Sequence, residues 1–98
     1  MEDPAEADDW WSEDEYVETL ELERRRFAWV VQRYGGKTPA EAEAEAVEFY
    51  CYQGPGTPCR GLVFHDDAWH WAMLGIHGLY WNTRPELARP SDEYYDVE

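Results

Sequence analysis

The chain has 98 residues and carries 22 acidic side chains against eight basic ones, a net charge of −14. That length holds one domain with one modest core, for which six Trp, seven Tyr and three Phe supply the bulk. The charge argues against direct contact with nucleic acid or an anionic membrane surface, both of which attract Lys and Arg, and it favours cationic protein surfaces as partners.

The chain opens on Met1-Glu2-Asp3-Pro4-Ala5-Glu6, acidic where a signal peptide is basic and then apolar, so a cytoplasmic location is expected. No run approaches the roughly 18–20 apolar residues of a membrane helix. Residues 1–11 read as an acidic arm ending in Trp10 and Trp11, residues 12–87 as a single helical domain, and residues 88–98 as an acidic tail.

A first helix is predicted over residues 12–34. Ser12 and Glu15 have capping-box spacing, and Glu13 and Asp14 suit the positive end of a helix. Tyr16, Leu20, Phe27, Val30, Val31 and Tyr34 recur on one helical face, and Gly35-Gly36 is a stop signal. Charge comes in blocks: residues 1–23 have acidic side chains and no basic ones, and residues 24–37 have Arg24, Arg25, Arg26, Arg33 and Lys37 with no acid. The arginine triplet is expected to pair with Glu21, Glu41 or other nearby carboxylates.

A second helix is predicted over residues 38–52, starting with Thr38 as cap, Pro39 at the first helical position and Glu41 three residues after the cap. Ala40, Ala44, Val47 and Cys51 read as its buried stripe, widened by Phe49 and Tyr50, with Glu41, Glu45 and Glu48 facing out. Gly54-Pro55-Gly56 ends it. Cys51 and Cys59 flank this loop and are expected to be reduced, buried or half-buried thiols. Gly61-Leu62-Val63-Phe64 reads as a short extended segment. The third helix, over residues 66–81 with Asp66 or Asp67 as cap, is apolar nearly all round and is expected to be the central, buried one. The predicted fold is therefore all-α: a small three-helix domain with a short extended segment before its central helix, and acidic tails.

Two acidic stripes carry the functional expectation. Asp14, Glu18 and Glu21 on the first helix, and Glu41, Glu45 and Glu48 on the second, are each spaced by about one turn, roughly 5–6 Å between neighbours. Rows of carboxylates at this spacing can stand in for a phosphate backbone. Trp10 and Trp11, or Tyr16, would add an apolar anchor, since aromatic residues dominate many interfaces. An alternative is a metal-binding module or metal-dependent enzyme using His65, Asp66 and His70. His77 lies about 10.5 Å along the axis from His70, too far to share one ion with metal–nitrogen bonds of about 2.0–2.1 Å. Neither a phosphate-binding glycine loop, a Cys-x-x-Cys pair nor a nucleophile elbow occurs in the sequence, and no catalytic residue or cofactor is expected. The expected function is an acidic, non-enzymatic protein that blocks a basic, nucleic-acid-binding protein. DNA-mimic inhibitors such as anti-CRISPR, anti-restriction and immunity proteins are analogies of size and charge. A homo-oligomeric structural subunit, or a homodimer, is the remaining expectation, because the aromatic surplus could form a subunit interface.

Overall fold

The structure, a computed structural model, describes residues 11–98. Helix α1 (Glu13–Gly35) begins and ends on its sequence signals. The Ser12 hydroxyl accepts the Glu15 N–H at 3.1 Å, closing a reciprocal capping box. At the other end Gly36 takes a left-handed conformation (φ 69°), which an L side chain adopts only with strain, and its N–H closes the last turn on the Val31 carbonyl. The predicted face of α1 is the one that packs: Tyr16, Leu20, Phe27, Val30 and Val31 are buried and Tyr34 is partly so.

Helix α2 (Pro39–Phe49) starts on the Thr38–Glu41 capping box. Its buried stripe is Ala42, Ala46 and the following Tyr50, not the expected Ala40, Ala44, Val47 and Cys51, which are all exposed. The alternating Ala-Glu pattern explains the miss. Alanines at every second position fall on opposite helix faces equally, so the pattern leaves rotation open. The ring of Tyr50, packed edge-on against Phe27 at 5.8 Å, sets it.

The segment expected to be extended is a 3₁₀ turn, Leu62–His65, entered through Gly61 at φ 79°. An ideal Cβ on Gly61 would lie 2.5 Å from Trp11 Nε1, so the indole seats directly on the glycine. The loop ahead of this turn is tied to the start of α1. Buried Arg60 donates to Glu13 at 2.6 Å and to the Gln53 carbonyl at 2.8 Å, with its guanidinium 3.9 Å from the centre of the Tyr16 ring. Tyr16 in turn accepts the Gln53 N–H at 2.8 Å through its hydroxyl. Cys51 and Cys59 are free and exposed rather than buried.

Helix α3 (Ala68–His77) is shorter than predicted, because Gly78 leaves the helix at φ 87°; Trp81 then returns to the core through a second 3₁₀ turn, Trp81–Thr83. It is not the central helix either. Helices α2 and α3 both pack on α1, which is the hub, and α3 buries only Ala68, Trp69, Ala72 and Met73. Its N-terminus is fully answered by the chain itself. The Ala68 N–H meets the Glu23 carboxylate, Trp69 N–H meets the Tyr94 hydroxyl at 3.2 Å, and His70 N–H meets Asp67 at 3.0 Å.

The stretch read as an acidic tail contains a short helix, α4 (Asp92–Tyr95), whose Tyr94 is 0% exposed. The described residues form an all-α domain of four helices.

The hydroxyl of Tyr50 is buried without a hydrogen-bond partner, and burial pushes its pKa far above the ordinary tyrosine range. Removing a buried, unanswered hydroxyl relieves a desolvation cost of about 1–3 kcal/mol. Tyr50→Phe is therefore expected to leave stability unchanged or raise it in urea unfolding; a clear loss would mean that the hydroxyl is bonded.

Candidate functional site

Arg24 and Arg26 direct their hydrogen bonds to backbone carbonyls rather than to Glu21 or Glu41, while Arg26 also acts electrostatically on the nearby Glu23. Arg24 donates twice to the Tyr50 carbonyl, at 2.6 and 2.9 Å, capping the C-terminal end of α2. Arg26 donates to the carbonyls of Val97 and Tyr95, at 3.2 and 3.3 Å, and lies over the Tyr94 ring. A guanidinium presents several donors in a planar fork, which suits the exposed carbonyls of a helix end. The consequence is structural: Arg24 and Arg26 tie helix ends and the C-terminal segment to α1, while exposed Arg25 stands between the acids of the two neighbouring hollows. Ion pairs do link Arg33 to Glu93, Lys37 to Glu45 and Arg60 to Glu13. Among the described residues none engages Asp14, Glu18, Glu21, Glu43 or Glu48.

Asp14, Glu18 and Glu21 are exposed along α1 as the sequence suggested. Their surroundings differ from the expectation. Glu18 borders a hollow with Asp96 and Glu98 of the C-terminal segment, and Glu21 borders another with Glu43 and Val47 of α2. The two predicted stripes thus do not merge. Glu41, Glu45 and Glu48 lie on the other flank of α2. There Glu41 is held by its capping box, whose hydrogen bonds from the Thr38 backbone and side chain pull the carboxyl below its ordinary pKa. Glu45 and Glu48 border a groove between α2 and α3, lined by Phe27, Phe49, Trp71, Leu74 and Gly75.

The aromatic anchors are placed differently. Trp10 lies outside the described residues. Trp11 packs edge-on against Phe64 (5.6 Å) and Tyr16 (6.4 Å) and belongs to the core margin, and Tyr16 is buried. Exposed rings are found instead at Phe49, Tyr52, Tyr80 and Tyr95. Phe49 was expected to widen the buried stripe of the second helix together with Tyr50; Tyr50 does so, but Phe49 is exposed, because the alternating Ala-Glu run left the rotation of the helix open.

For the metal alternative, His70 Nε2 stands 3.9 Å from Asp66 Oδ2, while the His70 ring packs edge-on to Trp71 and Trp81. Among the described residues no three His, Cys, Asp or Glu side chains are grouped to hold a metal ion. One buried acid does stand out. Glu23 is 7% exposed, and burial raises its pKa above 4.5; Arg26 opposes the shift, Asp67 adds to it, and the Ala68 N–H opposes it. A carboxyl with a raised folded pKa favours folding most below its unfolded pKa, and the folded state loses stability as pH climbs through the folded value. Glu23→Gln, which keeps an acceptor for Ala68, is therefore expected to exceed the parent in stability at pH 7 and to match it near pH 4. Paired urea titrations at the two pH values check this, and an equal difference at both would refute it.

No helix among the described residues is long and apolar enough to cross a membrane. Comparison with protein families, curated proteins and solved structures finds no match for the chain.

Proposed function

We propose that the chain is an acidic, non-enzymatic binding protein that docks on a basic, nucleic-acid-binding surface of another protein and blocks it, in the manner of DNA-mimic inhibitors. The observation that carries this reading is the use of Arg24 and Arg26 on backbone carbonyls, which leaves Asp14, Glu18, Glu21, Glu43 and Glu48 without internal ion pairs. Glu18 with Asp96 and Glu98, and Glu21 with Glu43, carry acid beyond one helix, although Arg25 borders both hollows, Arg26 the first and Arg24 the second. Carboxylates in such a row meet the Lys and Arg that otherwise hold phosphates, and they speed encounter at low ionic strength.

Affinity capture with the full chain from its source cells, followed by titration of the captured complex against salt and against duplex DNA, tests the proposal. The expected partner is basic, releases DNA when the chain binds, and lets go of the chain as screening rises. A captured partner that binds with no dependence on salt, or that holds DNA and the chain together, would overturn it.

A further inference from the structure

The groove between α2 and α3 is a consequence of how the helices are supported. Both pack on α1, and they meet each other through Phe49 and Trp71, whose rings are 5.6 Å apart. Two helices laid on a third leave a trench between them, here floored by Phe27 of α1, which stacks on Phe49 at 5.3 Å with the planes 11° apart. Trp71 is locked in place by its indole N–H, which donates to the Val63 carbonyl at 2.9 Å. Phe49 remains 41% exposed, and an ideal Cβ on Gly75 would meet nothing within 4 Å, so the trench is open at its middle. Its volume of about 530 Å³ falls in the range of preformed ligand-receiving clefts.

The rim is charged on one side. Glu48 is exposed and Glu45 is bridged only loosely, 3.5 Å from Lys37, which precedes the Thr38 cap of α2. An apolar trench with a carboxylate rim complements a helix that has a row of apolar side chains flanked by Lys or Arg. We infer that the α2–α3 groove receives a cationic amphipathic helix of the partner protein, with Phe49, Trp71 and Leu74 taking its apolar row and Glu45 and Glu48 its flanking charges. This rests on the proposed acidic-binder function and deepens it: the α1 ridge attracts a basic partner, and the groove is where an apolar anchor enters.

The test uses the full chain and a designed helical peptide with Leu at helical spacing and Lys on both flanks. A second peptide has the same composition in an order that gives no apolar face. The ordered peptide is expected to bind and to move the amide signals of α2 and α3, whereas the reordered one binds much more weakly. Gly75→Gln places a neutral side chain in the open trench without meeting the core and should weaken the ordered peptide by about ten-fold or more, a loss well above what an unrelated surface change gives. Lys37→Gln frees Glu45 and should tighten it. Equal binding of the two peptides, no binding of either, or indifference to Gly75→Gln would overturn the groove assignment. So would a dimer of the chain that Gly75→Gln dissociates, since a second copy would then own the groove. None of these results touches the acidic ridge, whose own failure would appear as a native partner captured equally well after Asp14, Glu18 and Glu21 are reversed.

Discussion

Removal of residues 91–98 is expected to destabilise the domain severely. Tyr94 is fully buried, with its ring edge-on to Trp69 at 5.5 Å and to Trp29 at 6.4 Å and its hydroxyl accepting the Trp69 N–H. The Arg26 guanidinium sits 5.1 Å from the Tyr94 ring centre and donates to two carbonyls of the same segment. Loss of a buried aromatic side chain costs about 3–5 kcal/mol, a large share of the roughly 5–15 kcal/mol that holds a domain together. Tyr94→Ala should lower the thermal midpoint nearly as far as the truncation. Tyr94→Phe should cost less, about 1–3 kcal/mol, because it only strips the Trp69 N–H of its acceptor. Circular dichroism on heating and in urea reads all three. A truncated chain that melts with the parent would show that the segment is not part of the core.

Simultaneous reversal of Asp14, Glu18 and Glu21 to Lys is expected to leave the fold intact and to weaken the partner complex about 100-fold at low salt. The three side chains are exposed and carry no internal ion pair, so reversing Glu18 or Glu21 should change stability by no more than about 0.5 kcal/mol, and reversing Asp14, in the first turn of α1, by about 1 kcal/mol. At the interface each reversed contact is worth roughly 1 kcal/mol, and 1.4 kcal/mol is a factor of ten. Association rates should account for much of the loss, because charge at this distance steers encounter. The gap between variant and parent should narrow as salt approaches about 1 M, where screening acts within about 3 Å. Kinetic binding measurements across a salt series check both points, and a variant that binds like the parent would remove the ridge from the interface.

The starts of the three main helices and the end of α1 were legible in the sequence, whereas the ends of α2 and α3, expected at 52 and 81, fall earlier, at Phe49 and His77, and the helices' relative importance was not legible. Ser12, Thr38, Asp67 and Gly36 mark boundaries by local hydrogen bonding, which depends on neighbours in the chain. The hub could not be read this way. The largely apolar run from Trp69 to Trp81, broken only by His70 and His77 and two glycines, suggested a central helix, yet Leu79 and Tyr80 are largely exposed beyond Gly78, while the longer, more polar α1 supports both neighbours. Length decided this, because only α1 is long enough to carry α2 and α3 together. The acidic residues of the ridge were also visible, but their grouping was not: Glu21 joins Glu43 and Glu18 joins Asp96 and Glu98 only after the chain has turned back on itself. The destination of Arg24 and Arg26 was hidden for a related reason. A carbonyl at a helix end has no signature in the side-chain alphabet, so carboxylates looked like the natural partners.

Cys51 and Cys59 are both free and both on the surface. Stored in air, such exposed thiols are oxidised by dioxygen, which takes up two electrons and two protons for each intermolecular disulfide formed between two chains, and the product has the mass of a dimer without any noncovalent affinity behind it. Sedimentation or light scattering therefore distinguishes a genuine pair of chains from an oxidation product only when run with and without a reductant. Replacing both thiols by serine yields a form in which any remaining dimer is held by packing alone.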